Sequence, residues 1–289
     1  TTKKPSQIRG LIIWYVIGLL HYRSILSRCC CIVFAGYFNG FFNNRLNLTA
    51  DAYIRDTKGM QTSGKKLPGA YGANEPKQNA ANLRTKGWEL MLTWNDAFKL
   101  ANKPFRYNLS VGLADNTSEI TKFDNPSKIL SDYYVGQKLG DIWGYVVDGL
   151  FRTDEEAASY NVDQSAVNFV INTAQVNPGL HAGDMKFIDL DGDHKISSGS
   201  NTADDPGDRK IIGNSLPRYT YSIQGGFDWY GFDFSIYLQG VGHQDWYPGT
   251  NSVFFWGPYA RPYSSFIPRD FLSNVWSPEN PDAYFPRPI

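Results

Sequence analysis

The residues best placed to do chemistry are six aspartates between positions 189 and 208. Asp189, Asp191 and Asp193 have the spacing of the first, third and fifth oxygen donors of a calcium loop, and Ile196 stands at its apolar eighth position. The match then weakens, because His194 stands where such a loop has glycine and Ser200 where it has a bidentate glutamate. Asp204, Asp205 and Asp208 follow at once, and one of them supplies the missing carboxylate if the intervening Ser/Gly stretch loops out. The candidate ligand set is Asp189, Asp191, Asp193, Asp204 and Asp208, with Ca2+ as the expected ion. Unscreened, these carboxylates repel one another; the alternative is a solvated acidic turn.

A second kind of chemistry is recognition by stacking. Eight of the sixteen prolines fall after residue 247, interleaved with Phe254, Phe255, Trp256, Tyr259 and Tyr263. Proline at that density excludes continuous ladder pairing and stiffens the loop. Trp246, Tyr247, Trp256 and Tyr259 are the candidate contacts to a sugar ring or a partner protein, the alternative being that the loop's rings pack on one another. Catalysis finds no support. His21, His181, His194 and His243 are scattered, with no metalloprotease, nucleophile-elbow or phosphate-loop motif. The Asp-rich stretch lacks the apolar wall that a glycosidase acid needs. Lys plus Arg (28) balances Asp plus Glu (28), which disfavours nucleic acid as a partner. The three cysteines are consecutive, Cys29 to Cys31, and cannot form spaced zinc-ligand pairs.

The elements that must position these residues alternate with a period of two. Leu46, Leu48, Ala50, Ala52 and Ile54 are interleaved with Asn47, Thr49, Asp51, Tyr53 and Arg55, the pattern of a strand with one apolar and one polar face. Strands are expected near 45–55, 87–95, 105–114, 217–228 and 231–241. A hairpin through Asp228-Trp229-Tyr230-Gly231 should pair Phe227 with Phe232 and Ile223 with Ile236. Folding Trp94 back on Phe105 should pair Leu92 with Tyr107 and Leu90 with Leu109. Thr153 and Glu156 have capping-box spacing and predict a short helix. The connections run long, short, long, short, long, with loops at 56–86, 115–216 and 243–289. Such gaps are uncommon in a compact domain, whereas an outer-membrane barrel has short turns on one side and long loops on the other. The expected fold is all-β, a partial antiparallel transmembrane β-barrel of the outer-membrane type with long extracellular loops. The competing reading is a secreted, calcium-stabilised carbohydrate-binding β-sandwich.

Residues 1–36 are atypical. Lys3, Lys4 and Arg9 precede the apolar run Leu11 to Leu20, as in a signal peptide, but no small-residue cleavage site follows. An out-of-frame or spurious origin is the preferred account of this segment, and residues 37–289 are taken as the barrel piece.

Six stretches carry a family resemblance: Asn43 to Thr57, Lys86 to Leu90, Gly183 to Asp193, Arg209 to Asn214, Gly231 to Gly240 and Trp276 to Pro281. In this order they resemble the late barrel strands of the SusC/RagA family of TonB-dependent outer-membrane transporters. The chain departs from that family in length, in lacking a visible plug domain and TonB box, and in its cysteine triplet. The resemblance implies an internal or C-terminal barrel fragment with no catalysis. It implies outer-membrane lipid around the barrel and import of oligosaccharides or peptides with a SusD-like surface lipoprotein. Energy would come from the TonB complex through parts outside this chain. Asp51, Arg55, Glu89, Arg106 and Gln239 would face the lumen. About 22 strands close such a barrel, so five expected strands do not.

Overall fold

The computed structural model describes residues 11–12, 28–63, 72, 77–167, 179–249, 259 and 267–287. In chain order the elements are β1 (Leu11–Ile12), β2 (Arg28–Phe41), β3 (Leu46–Ser63), β4 (Lys77–Leu100), β5 (Lys103–Lys122), β6 (Asp141–Tyr145) and β7 (Val147–Leu150). Then come α1 (Asp154–Ser159), β8 (Met185–Phe187), β9 (Arg209–Asn214), β10 (Arg218–Trp229), β11 (Phe232–His243) and α2 (Phe271–Asn274). The chain divides into two compact units.

The first unit is a seven-stranded antiparallel sheet in the order β1-β2-β3-β4-β5-β10-β11. Its register follows the alternation in the sequence. One row across the sheet reads Leu48, Leu92, Val111, Ile223, Leu238; the next on the same face reads Ala50, Leu90, Leu113, Tyr221, Gly240. The opposite face carries Asp51, Glu89, Ala114 and Thr220 in one row and Arg106, Asp228 and Asp233 in another. An even repeat keeps most of the apolar side chains on one side, with Met91 and Val241 among the exceptions. That side stays uncovered: Leu92, Val111, Ile223 and Leu238 are 38–52% exposed. A soluble sandwich would bury this face in its core.

Aromatics bound the apolar band at both ends. At the tight-turn end Phe98, Phe105, Trp229 and Phe232 form one row and Tyr107, Phe227 and Phe234 the next. Phe105, Phe227 and Phe234 stack in sequence at 5.3 and 5.4 Å. Trp88 and Tyr221 stand near the other end. Ten residues separate Trp88 from Phe98 along β4. With about 3.4 Å per residue and a tilt of about 40°, the band is roughly 26 Å tall, close to the apolar height of outer-membrane barrels.

Three short turns lie at one edge of the sheet: residues 42–45, Ala101-Asn102 and Tyr230-Gly231. The last two have positive φ at both positions, 48° and 61°, then 53° and 84°, as two-residue hairpins require. These turns correct the expected registers. Ile223 pairs Leu238 and Phe227 pairs Phe234, a shift of two, while Leu92 pairs Val111 and Leu90 pairs Leu113, a shift of four. The strands run on into the turns, through stretches expected to be loop. Both shifts are even, so the faces are preserved.

The strands also outrun their expected upper limits. β3 continues to Ser63 and β4 begins at Lys77, so residues 56–63 and 77–86 of the expected 56–86 loop are strand; β5 continues to Lys122. Polar pairs sustain the ladder there, with Arg84 donating to both carboxylate oxygens of Asp56 at 2.7 and 2.8 Å. β2 begins at Arg28, eight residues before the limit of the segment set aside as atypical, and its backbone pairs with β3 across a register shift between Cys29 and Cys31. Residues 1–10 and 13–27 of that segment lie outside the described residues.

The second unit comprises residues 127–131, 141–215 and 245–289. It holds two small antiparallel pairs, β6 with β9 and β7 with β8, so the expected 115–216 loop contains structure of its own. Phe151, Ala157, Phe187, Ile196 and Val275 form its buried core. Gln164 is buried beside β8, where its side chain accepts from Phe187 N and donates to Met185 O; it takes the place of a third strand. Thr153 caps α1 by accepting from Glu156 N at 3.2 Å, and Glu156 reaches back to Arg152 N at 2.9 Å. The capping box closes one residue further upstream than its usual form.

Candidate functional site

The polar face of the sheet is concave. One hollow, near the turns, is lined by Asn95, Arg106, Asn108, Gln224, Asp228 and Ser235. The other, higher up, is lined by Asp51, Glu89, Gly112, Thr220, Ser222 and Gln239. Four of the five residues assigned to the lumen thus line these hollows, and Arg55 shares their face, opposite Thr85 on β4. Alternation puts them there: odd positions on β3, β4 and β11, even positions on β5 and β10. At the mouth of the 123–217 connection, where β5 is left and β10 entered, Arg218 donates to both oxygens of Asp115 at 2.6 Å. Asp115 is 8% exposed and the Arg218 side chain 27%, so the carboxylate is shielded from water while the guanidinium keeps part of its contact with solvent.

Of the five aspartates expected as ligands, three converge. Oxygens of Asp189, Asp191 and Asp208 lie within 4.8 Å of one another. Asp189 accepts from Gly192 N at 2.7 Å and His194 N at 2.9 Å. These amides outweigh a desolvation penalty and hold its carboxyl below the ordinary range. Asp208 is fully buried and accepts from Leu190 N and Ser197 N, both at 2.7 Å. At Asp191 the Asp193 amide pulls the pKa down, but desolvation and the charges of Asp208, Asp193 and Asp189 prevail and raise it. Asp193 caps Lys195 N instead of joining the cluster, and Asp204 is drawn away into an ion pair with Lys128 at 2.8 Å. His194 takes the left-handed conformation, φ 64°, that glycine normally supplies at this position of a calcium loop. Ile196 is fully buried and its amide donates to Asp163 O, anchoring the loop to a neighbouring segment.

Of the aromatic candidates, Trp246 and Tyr247 are 75% and 53% exposed. Tyr259 packs against Phe271 at 6.3 Å, donates to Pro286 O at 3.1 Å, and has its pKa pushed up to about 12 by burial. It belongs to the unit's own packing. Trp256 lies outside the described residues.

No family model matches the chain. Two curated relatives from Formosa agariphila are TonB-dependent receptors, P39 and P3. The first is 26% identical over 218 residues, 68% of this chain, and the second 24% over 261 residues, 86% of this chain. The matches take up 20% and 23% of those proteins, so the chain spans about a fifth of their length. Among solved structures, the RagAB peptide transporter superposes on 91% of this chain with a TM-score of 0.59 at 17% identity, over 26% of its own chain, a likeness of fold. Over most of its length the chain is thus similar to TonB-dependent receptors.

The open seven-stranded sheet shares its fold with part of the RagAB transporter, and the two curated relatives are receptors and not enzymes. The strands place the polar candidates on the face that carries the hollows and the aromatic rows on the opposite face. Sequence reasoning missed the Asp115–Arg218 and Asp56–Arg84 clamps, whose partners lie 103 and 28 residues apart. The signal was present in part: each aspartate interrupts an apolar alternation at the upper end of a strand.

Proposed function

We propose that the full-length protein lies in the outer membrane and imports oligosaccharides or peptides, drawing on TonB and receiving solute from a SusD-like surface lipoprotein. One observation carries this reading: an apolar band of lipid-core height covers the convex face while the polar residues line the concave one. Lipid then contacts the Leu92–Val111–Ile223 row, and Asp51, Arg55, Glu89, Arg106 and Gln239 face the passage. The peptide-transporter function of RagAB supports peptides as one solute class. Deleting the gene should abolish accumulation of the fluorescent oligosaccharide or peptide that the strain normally takes up, and loss of TonB should do the same. Uptake that survives both deletions, or a full-length product that stays soluble without detergent, would overturn the proposal.

The convergence of Asp189, Asp191 and Asp208 supports a second, structural role, a Ca2+ site that ties the 189–208 loop together. Among the described residues Asp191 contributes no hydrogen bond to the loop beyond the Asp193 amide, so Asp191→Asn removes one of the three carboxylate charges that would hold the ion, with little change to the fold. Calcium should protect the intact protein from proteolysis within this loop, and Asp191→Asn should cancel that protection. Equal protection in both proteins would exclude the site.

A further inference from the structure

The upper hollow on the polar face has a shape that a barrel wall alone does not require. Its floor is the β5–β10 pair, where Gly112, Ala114, Thr220 and Ser222 keep the surface low, and a Cβ on Gly112 would stand 2.8 Å from Ser222 Oγ. Asp51 and Glu89 rise on one side. On the other stand Tyr237 and Gln239, whose side chains hydrogen-bond at 3.3 Å. With about 4.8 Å between neighbouring strands, β4 and β11 are roughly 14 Å apart, and the hollow, open to solvent, has a volume of about 830 Å³.

Asp51 and Glu89 face each other directly across β3 and β4. Like charges so placed destabilise a sheet, and neither carboxylate makes an ion pair among the described residues. By register Arg55 is four residues from Asp51 along β3 and Arg106 eight from Ala114 along β5, backbone spacings of at least ~13 Å, while Arg218, two residues from Thr220 on β10, is held by Asp115.

We propose that this hollow is a specificity site that selects solutes carrying a protonated amine. The proposal rests on the import reading above and deepens it. Two carboxylates on adjacent strands have Cβ atoms about 5 Å apart, a span that one ammonium group with three donors can bridge. The low floor leaves room for the rest of an extended solute, and Tyr237 and Gln239 offer it a polar flank. Thr49, beside Asp51 on the same face, adds a hydroxyl without adding charge.

The test uses the full-length receptor in proteoliposomes. The probes are a lysine-containing pentapeptide against its fully acetylated form, and a chitosan tetramer against the chitin tetramer. Wild type should bind at least one amine-bearing probe roughly tenfold tighter than its acetylated partner, the two pairs telling peptide amine from sugar amine. In Asp51→Asn/Glu89→Gln that ratio should fall to about one, and Glu89→Lys should invert it. The heat-modifiable gel band of each variant reports that the barrel is assembled. An assembled double variant that keeps the wild-type ratio, or a wild type indifferent to acetylation, overturns the proposal. If acetylated solutes are imported in a TonB-dependent way, only this inference falls; if no solute is imported at all, the import reading falls with it.

Discussion

Arginine at the middle of the apolar band would separate a lipid-facing wall from a buried protein core. Val111 is suited to the test: it lies four residues from Asp115 in the Trp88 row and six from Phe105 in the turn-end row, with Leu92 and Ile223 beside it. Arginine on the lipid face of such a barrel costs about 2–4 kcal/mol at the midplane and about 0–1 kcal/mol near an interface. Val111→Arg should therefore lower the equilibrium constant for folding by about 30- to 900-fold. Phe232→Arg, at the turn end and 68% exposed, should cost about 1 kcal/mol or less. Ser110→Arg points into the concavity and loses one hydrogen bond to Thr93, also worth about 1 kcal/mol. Urea titration of the full-length receptor in lipid vesicles, followed by its heat-modifiable band, measures all three. A core buried against protein predicts no gradient with height. The reasoning is refuted if Phe232→Arg costs as much as Val111→Arg, or if Ser110→Arg costs more.

Ile196→Ala should open a cavity in the second unit and destabilise it by about 2–5 kcal/mol, seen as a lower melting temperature of that unit's own transition. Gly231 has φ 84° and nothing within 4 Å of where a Cβ would stand, so Gly231→Ala should cost only the backbone strain, about 1 kcal/mol, with no loss of packing; a larger loss in urea titration would contradict the turn geometry. The Glu156 carboxylate is held low by the Arg152 amide and Asp154 by the Ala182 amide. A depressed carboxylate stabilises the fold above its unfolded pKa, and that contribution disappears as pH falls through the folded value. Hydrogen exchange at the Arg152 and Ala182 amides should stay protected at neutral pH and accelerate beyond the intrinsic trend only below about pH 4; loss of protection near pH 6 would show that these carboxylates are not the acceptors.

Much of the sheet was legible because alternation is a local signal, repeated on every strand. Leu48, Leu92, Val111, Ile223 and Leu238 were each on the correct face before any pairing was known. Register was less legible, since it depends on which residues turn. Ala101-Asn102 lacks the usual glycine, and Tyr230-Gly231 was read as the second half of a longer turn, so both hairpins were misaligned by even steps that left the faces intact. The upper parts of β3 and β4 escaped because residues above the band are polar on both sides and show no period. At the acidic loop, spacing found Asp189 and Asp191 but could not tell Asp193 from Asp208. What decides between them is burial of Asp208 under two backbone amides, a fact of tertiary folding.

The pairing of β5 with β10 has a consequence for how the chain reaches its fold. The chain leaves the sheet at Lys122 and re-enters at Arg218 one strand spacing away. Closing a loop of roughly a hundred residues costs about 2 kcal/mol more than closing one of ten, by the logarithmic dependence on length. The β3–β4–β5 and β10–β11 ribbons, joined by short or moderate connections, can zip first. Their union has to meet that cost of closure, and the Asp115–Arg218 pair ties the seam where the chain leaves and re-enters the sheet. A stretch that begins and ends on neighbouring strands behaves as a cassette: it can be lengthened, trimmed or exchanged without moving a residue of the wall.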